Sequence, residues 1–179
     1  MGGAKRILAY DLATRFCGYT VGDGSCMPEV DGFELPGPDD LGRLGARARA
    51  AFIAQVQRYR PDVVLNERPE LIPGRDTLTK IRPLHGVSFT LATVCAQFGI
   101  PYEEETVKAV KAELTGDAGA DKNAMCAVAV KVGVTLPDEP WRRDAADSFA
   151  VWLCGVRKHS RVHLAEWDRR IHSRRGAML

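Results

Sequence analysis

Asp11, Glu67, Asp144 and Asp147 are the residues of this chain whose types and surroundings could do chemistry together. Asp11 closes the apolar run Ile7, Leu8, Ala9, Tyr10, and Glu67 follows the run Val63, Val64, Leu65, so each carboxylate is expected at the end of a core strand. Asp144 and Asp147 stand three apart in DAADSFAVW, a spacing that puts both side chains on one face of a helix start. Carboxylates gathered from two strand ends and one helix make an all-oxygen cage, which hard divalent cations such as Mg²⁺ prefer. Each residue also has an ordinary explanation. Asp144 fits a helix N-cap with Asp147 at N3, Asp11 fits a turn, and Glu67 fits a surface strand end paired with Arg68. Their co-occurrence, in this order and context, weighs for the metal site.

The elements that must position these carboxylates follow from hydrophobic period and punctuation. Strands are expected at Ile7–Asp11, Cys17–Val21 and near Val30–Leu35, a three-stranded antiparallel opening. Pro36, Gly37 and Pro38 interrupt it. A helix from Asp39 or Asp40 then puts Leu41, Leu44, Ala48, Phe52, Val56 and Tyr59 on one face, and Pro61 ends it. The strand Asp62–Glu67 is apolar through its interior, as a buried parallel strand is. There follow a helix over Leu84–Phe98, a strand over Pro101–Glu105 and a short helix or turn over Thr106–Leu114. An amphipathic helix through Met125, Val128, Ala129 and Val132 precedes a last helix that starts at Asp144 and buries Phe149, Trp152, Leu153 and Val156. The order implies an α/β fold: a five-stranded mixed sheet, three antiparallel strands then two parallel, flanked by helices on both faces.

A chain of 179 residues with 45% hydrophobic composition can bury a full core but leaves little room for a second domain. No apolar run approaches the roughly 20 residues that span a bilayer, and MGGAKR leads straight into a strand rather than a signal sequence. A soluble, cytoplasmic protein is expected. Five cysteines, odd in number and without CxxC spacing, read as reduced thiols; Cys95, Cys126 and Cys154 read as small core residues on helices. His85 and His159 lack a second ligand at metal spacing. Between Arg157 and Arg175, seven basic residues stand against Glu166 and Asp168, a local excess of +5 in a chain of net charge +2. Residues 1–158 are therefore expected to form the folded domain and 159–179 a basic C-terminal extension, either solvated or tracking a phosphate backbone.

Four segments carry a family resemblance: IxAYDLATRFCGYTV at the first hairpin, VVLNE at the fourth strand, VKAELTGDAGADK, and DAADSFAVWLCGVRK on the last helix. Over roughly residues 6–158 the chain resembles the RuvC family of Holliday junction resolvases, within the ribonuclease H-like superfamily. The resemblance implies that Asp11, Glu67, Asp144 and Asp147 bind two divalent metals, Mg²⁺ with Mn²⁺ as a substitute. It also implies that Lys111 and Lys122 lie near the scissile phosphate, where point charges can stabilise developing negative charge. Phosphodiester hydrolysis needs a deprotonated water and stabilisation of both the pentavalent phosphorus and the leaving alkoxide, which metals roughly 3.5–4 Å apart supply together. Without metal the clustered anions repel, so raised carboxylate pKa values are expected.

Two departures stand out. Where the family reads Asp-Pro-Gly after the first strand, this chain has Asp11, Leu12, Ala13; and Glu67 is followed by Arg68, Pro69, Glu70 and Leu71, with no aromatic wedge. Arg68, Arg75, Lys80 and Arg82 are the expected phosphate grips in its place, fixing register without reading sequence. The resemblance implies branched DNA as partner, four-way junctions foremost with forks and flaps open, a homodimer, no membrane, and a bacterial or phage-infected cell. The competing readings are a non-catalytic branched-DNA-binding scaffold of the same fold and an actin-like or sugar-kinase-like phosphotransferase. The second needs two domains, for which this chain is short.

Overall fold

A computed structural model describes residues 4–71, 77–160 and 163–172. Strand β1 (Ile7–Asp11) is buried throughout. Because successive side chains on a strand face opposite ways, Ile7 and Ala9 enter one hydrophobic cluster and Leu8 and Tyr10 the other. Asp11 falls on the side of Ile7 and Ala9. β4 (Val63–Glu67) repeats the pattern: Val63 and Leu65 join Ile7, Val64 joins Leu8, and Glu67 falls on the side of Asp11. The two strands run parallel with Tyr10 opposite Asn66, so the carboxylates one position further on end adjacent strands.

β2 (Phe16–Gly22) and β3 (Glu29–Glu34) complete the antiparallel meander, and β5 (Tyr102–Glu105) pairs parallel to β4, in the order β3-β2-β1-β4-β5. This is the five-stranded mixed sheet expected. One face is covered by α1 (Leu41–Tyr59) and α2 (Leu78–Gln97), whose Leu44, Phe52, Val56, Val87 and Leu91 pack with Leu8 and Tyr10. The other carries α3 (Val107–Thr115), α4 (Lys122–Lys131), α5 (Arg142–His159) and α6 (Leu164–His172).

α5 is the central helix of that second layer: every residue from Ala145 to Val156 is buried. It lies close because the meander presents small side chains to it. Thr20 Oγ1 and Ser148 Oγ share a buried hydrogen bond of 2.8 Å, and Trp152 Nε1 donates to the Gly22 carbonyl at 3.1 Å. Trp141 Nε1 donates to Asp31 Oδ1 at 3.0 Å, which fixes the N-terminal end of α5 on β3.

Some expected boundaries and burials differ. α5 starts at Arg142, not Asp144. α2 begins at Leu78 rather than Leu84 and carries Pro83 inside its second turn. Leu41 and Phe98, assigned to buried faces, are 47% and 37% exposed, because each sits at a helix end where the core-facing stripe has run out. Cys95 and Cys154 are buried as expected and Cys126 only half-buried; Cys17 is buried too, on β2. The basic C-terminal segment is not solvated throughout. α6 drives Trp167 and Ile171 into the core, with the Trp167 ring edge-on to Trp152 at 5.1 Å and its Nε1 donating to the Gly24 carbonyl at 2.8 Å. Among the described residues no helix is long and apolar enough to cross a membrane.

Candidate metal centre and nucleic-acid cleft

Ligand atoms of Asp11, Asp144 and Asp147 all lie within 4.8 Å of one another. Asp11 and Asp147 are buried and Asp144 half-buried, which for carboxylates demands a counter-charge. Lys122, at the first position of α4, supplies it. Its Nζ donates to Asp144 Oδ1 at 2.7 Å and stands 3.0 Å from Asp147 Oδ2 and 3.5 Å from Asp11 Oδ2. Asp144 is thus no N-cap. It lies within the first turn of α5, whose cap position is Trp141, without a side-chain capping bond.

Asp11 and Asp147 form the floor of a cleft of about 510 Å³ that Glu67, Arg68, Glu70, Lys111, Asp121 and Lys122 also line. α3 and α4 bring in the basic residues. Gly116 ends α3 in the left-handed conformation (φ 80°) that glycine adopts at helix C-termini, and Asp121 caps α4 by accepting from the Ala124 amide at 2.8 Å. This turn delivers Lys122 to the carboxylates, while Lys111 lines the same cleft from α3. Arg68 is exposed and pairs with Glu70 at 3.1 Å, not with Glu67. Lys80 and Arg82 are exposed on the first two turns of α2, and Arg75 lies outside the described residues. His85 is exposed, and His159 faces Glu103 at 2.9 Å.

The electrostatics are those of crowded, buried carboxylates balanced by one ammonium. Burial pushes the Asp11 carboxyl well above the usual range; Lys122 opposes the shift, while Glu67, Asp147 and Asp144 add to it. Glu67 is pushed up to about 7, by burial first and then by Asp147, against Lys122 and Lys111. Burial likewise raises Asp147, against Lys122. Burial alone would lower the Lys122 ammonium, but Asp11, Asp147 and Asp144 outweigh it and hold the group above the ordinary lysine range. Raised carboxylates bind more protons in the folded chain than in the unfolded one. The contribution of Glu67 to stability is therefore present below its ordinary carboxylate range and is lost as pH rises through about 7, and those of Asp11 and Asp147 are lost in the same direction. The metal-free protein is expected to melt several degrees lower at pH 8 than at pH 5, with Glu67→Gln flattening the difference. Thermal denaturation in EDTA checks both; an equal fall in parent and variant would remove Glu67 from the cause.

The sheet order β3-β2-β1-β4-β5 with helices on both faces is that of a ribonuclease H-like fold, with acidic side chains at the ends of β1 and β4 and on the central helix. The family model described as "Crossover junction endodeoxyribonuclease RuvC" matches residues 48–155. A protein of that description from Leifsonia xyli subsp. xyli is 30% identical over 154 residues, covering 83% of this chain and 72% of its own length. The Thermus thermophilus RuvC structure superposes with a TM-score of 0.64 at 14% identity, over 86% of this chain and 97% of that one. A second structure, of T. thermophilus RuvC in complex with Holliday junction substrate, gives 0.64 at 16% identity, over 82% and 92%. The chain belongs to the RuvC family of crossover junction endodeoxyribonucleases. The family match starts downstream of Asp11, whose place beside Asp144 and Asp147 comes from the fold.

Proposed function

We propose that the chain cleaves branched DNA, four-way junctions foremost, with two Mg²⁺ ions, replaceable by Mn²⁺, held by Asp11, Glu67, Asp144 and Asp147. The observation that carries this reading is the convergence of three carboxylates from β1 and α5 within 4.8 Å. The residues suit such ions: the donors are all oxygen, they are buried or half-buried, and a cation already sits among them. Bound divalent ions would supply an activated water and charge stabilisation at the attacked phosphorus. The chain's residues do the rest. The sheet holds Asp11 and Glu67 rigidly, α5 holds Asp144 and Asp147, and Lys111 and Lys122 line the cleft in which the attacked phosphate would lie. Hydrolysis leaves a 5′ phosphate and a 3′ hydroxyl. Arg68, Lys80, Arg82 and, outside the described residues, Arg75 grip flanking phosphates. The nuclease unit expected over residues 1–158 is completed by α6, whose Trp167 and Ile171 pack into its core, and the remaining basic charge of the C-terminal segment is the extension. The setting is the cytoplasm of a bacterial or phage-infected cell.

A four-way junction has near two-fold symmetry and needs paired cuts, which suits a C₂ homodimer. Leu78 and Phe89, 76% and 71% exposed on α2, are apolar surface available for that pairing. The solved complex of the T. thermophilus relative with a Holliday junction supports the choice of substrate.

The test compares synthetic four-way junctions, flaps and plain duplex in Mg²⁺ and in EDTA. Metal-dependent, paired cuts in the junction are expected. Equal cutting of plain duplex would reject branch selectivity, and tight junction binding without any cut would favour the scaffold reading. Association should weaken by about 10³-fold or more between 50 and 200 mM salt if six or more phosphates are neutralised; a flat salt response would reject the backbone grips.

A further inference from the structure

We propose that the Lys122 ammonium is the resident cation of the Asp11, Asp144 and Asp147 cluster, and that a divalent ion occupies that position only by displacing it. The proposal rests on the metal-site reading above. Lys122 Nζ lies 2.7, 3.0 and 3.5 Å from one oxygen of each of the three carboxylates, whose ligand atoms are themselves within 4.8 Å. An ammonium has three donors and no acceptor, so one proton can face each carboxylate. It is also compact, and it fills the locus that a small ion would take. Both cations cannot share it: at a few ångströms their repulsion in a partly dry cleft outweighs any gain.

The side chain is built to leave. Lys122 opens α4, and the helix start is held independently, by the Asp121 cap on the Ala124 amide and by Met125 in the core. Only the flexible four-carbon stem, 49% exposed, has to swing. Lys111 differs. It lines the same cleft but makes no ion pair with the cluster among the described residues. The two lysines thus divide the work: Lys111 faces substrate at all times, whereas Lys122 keeps the carboxylates together when no ion is bound. It becomes available to a phosphate only after an ion has replaced it, which ties substrate contact to metal loading.

Mn²⁺ titrated into metal-free protein without DNA, followed by calorimetry and by the electron paramagnetic resonance of free Mn²⁺, tests this directly. Lys122→Met is expected to bind Mn²⁺ about tenfold tighter or more than the parent, and Lys111→Met within about threefold of it, because only the first removes a charge in contact with the ligands. Lys122→Met should also melt lower than the parent in EDTA and gain more from saturating Mn²⁺, since its carboxylates have lost their counter-ion. Lys122→Gln, which keeps a polar tip, repeats both measurements should the Met variant fail to fold. Equal or weaker Mn²⁺ binding by the Lys122 variants, a gain no larger than that of Lys111→Met, or an unchanged melt in EDTA would overturn the proposal. Mn²⁺ binding by neither parent nor variants would instead overturn the metal-site reading, and this proposal with it.

Discussion

Asp11→Asn is expected to slow four-way-junction cleavage by about 10²-fold or more while leaving junction binding within about threefold of the parent. The asymmetry follows from where Asp11 sits. It is 9% exposed at the end of β1 and shares the Lys122 ammonium with Asp144 and Asp147, so it belongs to the carboxylate cluster and not to the rim of the cleft. Asparagine keeps the shape and one oxygen but removes a full negative charge from the donor set. The basic residues at the rim and on the first turns of α2 are untouched, and the loss of one anion near the DNA path does not oppose phosphate. A rate effect without a binding effect is the signature of a group that acts on the transition state alone. Gel-shift and single-turnover cleavage on the same junction separate the two. Cleavage within tenfold of the parent would remove Asp11 from the site, and a matched loss of binding would make its role one of folding.

Much of this site was legible because its signals are local. Asp11 and Glu67 each end an apolar run, and strand parity alone places them on the α5 face once the sheet order is known. The spacing of Asp144 and Asp147 sets them on one helical face wherever the helix begins. What was not legible depends on contacts between distant segments. The start of α5 is set by Trp141 on Asp31 and Gly32, not by a capping side chain, so an acidic residue in the first turn resembled the cap itself. The helix expected from Leu84 begins at Leu78 and runs through Pro83, a residue that disfavours helix at the position before it, because Ile81 and Pro83 are both buried. α6 is hidden by charge: Leu164, Trp167 and Ile171 recur at helical spacing, but they are set within the segment Arg157–Arg175, whose basic excess points toward solvent. The placement of Lys122 among the carboxylates needed the position of α4 relative to α5, which no local pattern encodes.

Gly18 is the residue that sequence alone said least about, and its substitution should be among the most damaging in the chain. It lies on β2 directly opposite Asp11 on β1 and Gly32 on β3. A methyl group at this position would stand 2.0 Å from the Asp144 carbonyl oxygen, 2.1 Å from its carbon and 2.4 Å from the Ala145 nitrogen. All three are backbone atoms of the first turn of α5, so no rotamer change relieves the clash; the helix end itself must lift. Lifting it costs packing at Ala145, Ala146 and Phe149 and carries Asp144 and Asp147 away from Asp11. Gly18→Ala is expected to lower stability by about 3 kcal/mol, near the upper end for overpacking, and the melting temperature by roughly 10 °C. At temperatures where the variant remains folded, cleavage should fall by about 10²-fold, because a displacement near 1 Å suffices to spoil a positioned site. Mn²⁺ affinity should fall with it. Gly45→Ala is the matched control: it lies on α1 with nothing within 4 Å of an added methyl, and alanine there should be neutral or mildly stabilising. If Gly18→Ala melts and cuts like its parent, the close approach of α5 to the meander is not what assembles the carboxylates. If it loses metal binding and cleavage together while Gly45→Ala keeps both, the backbone at Gly18 shapes the site as directly as the carboxylates themselves.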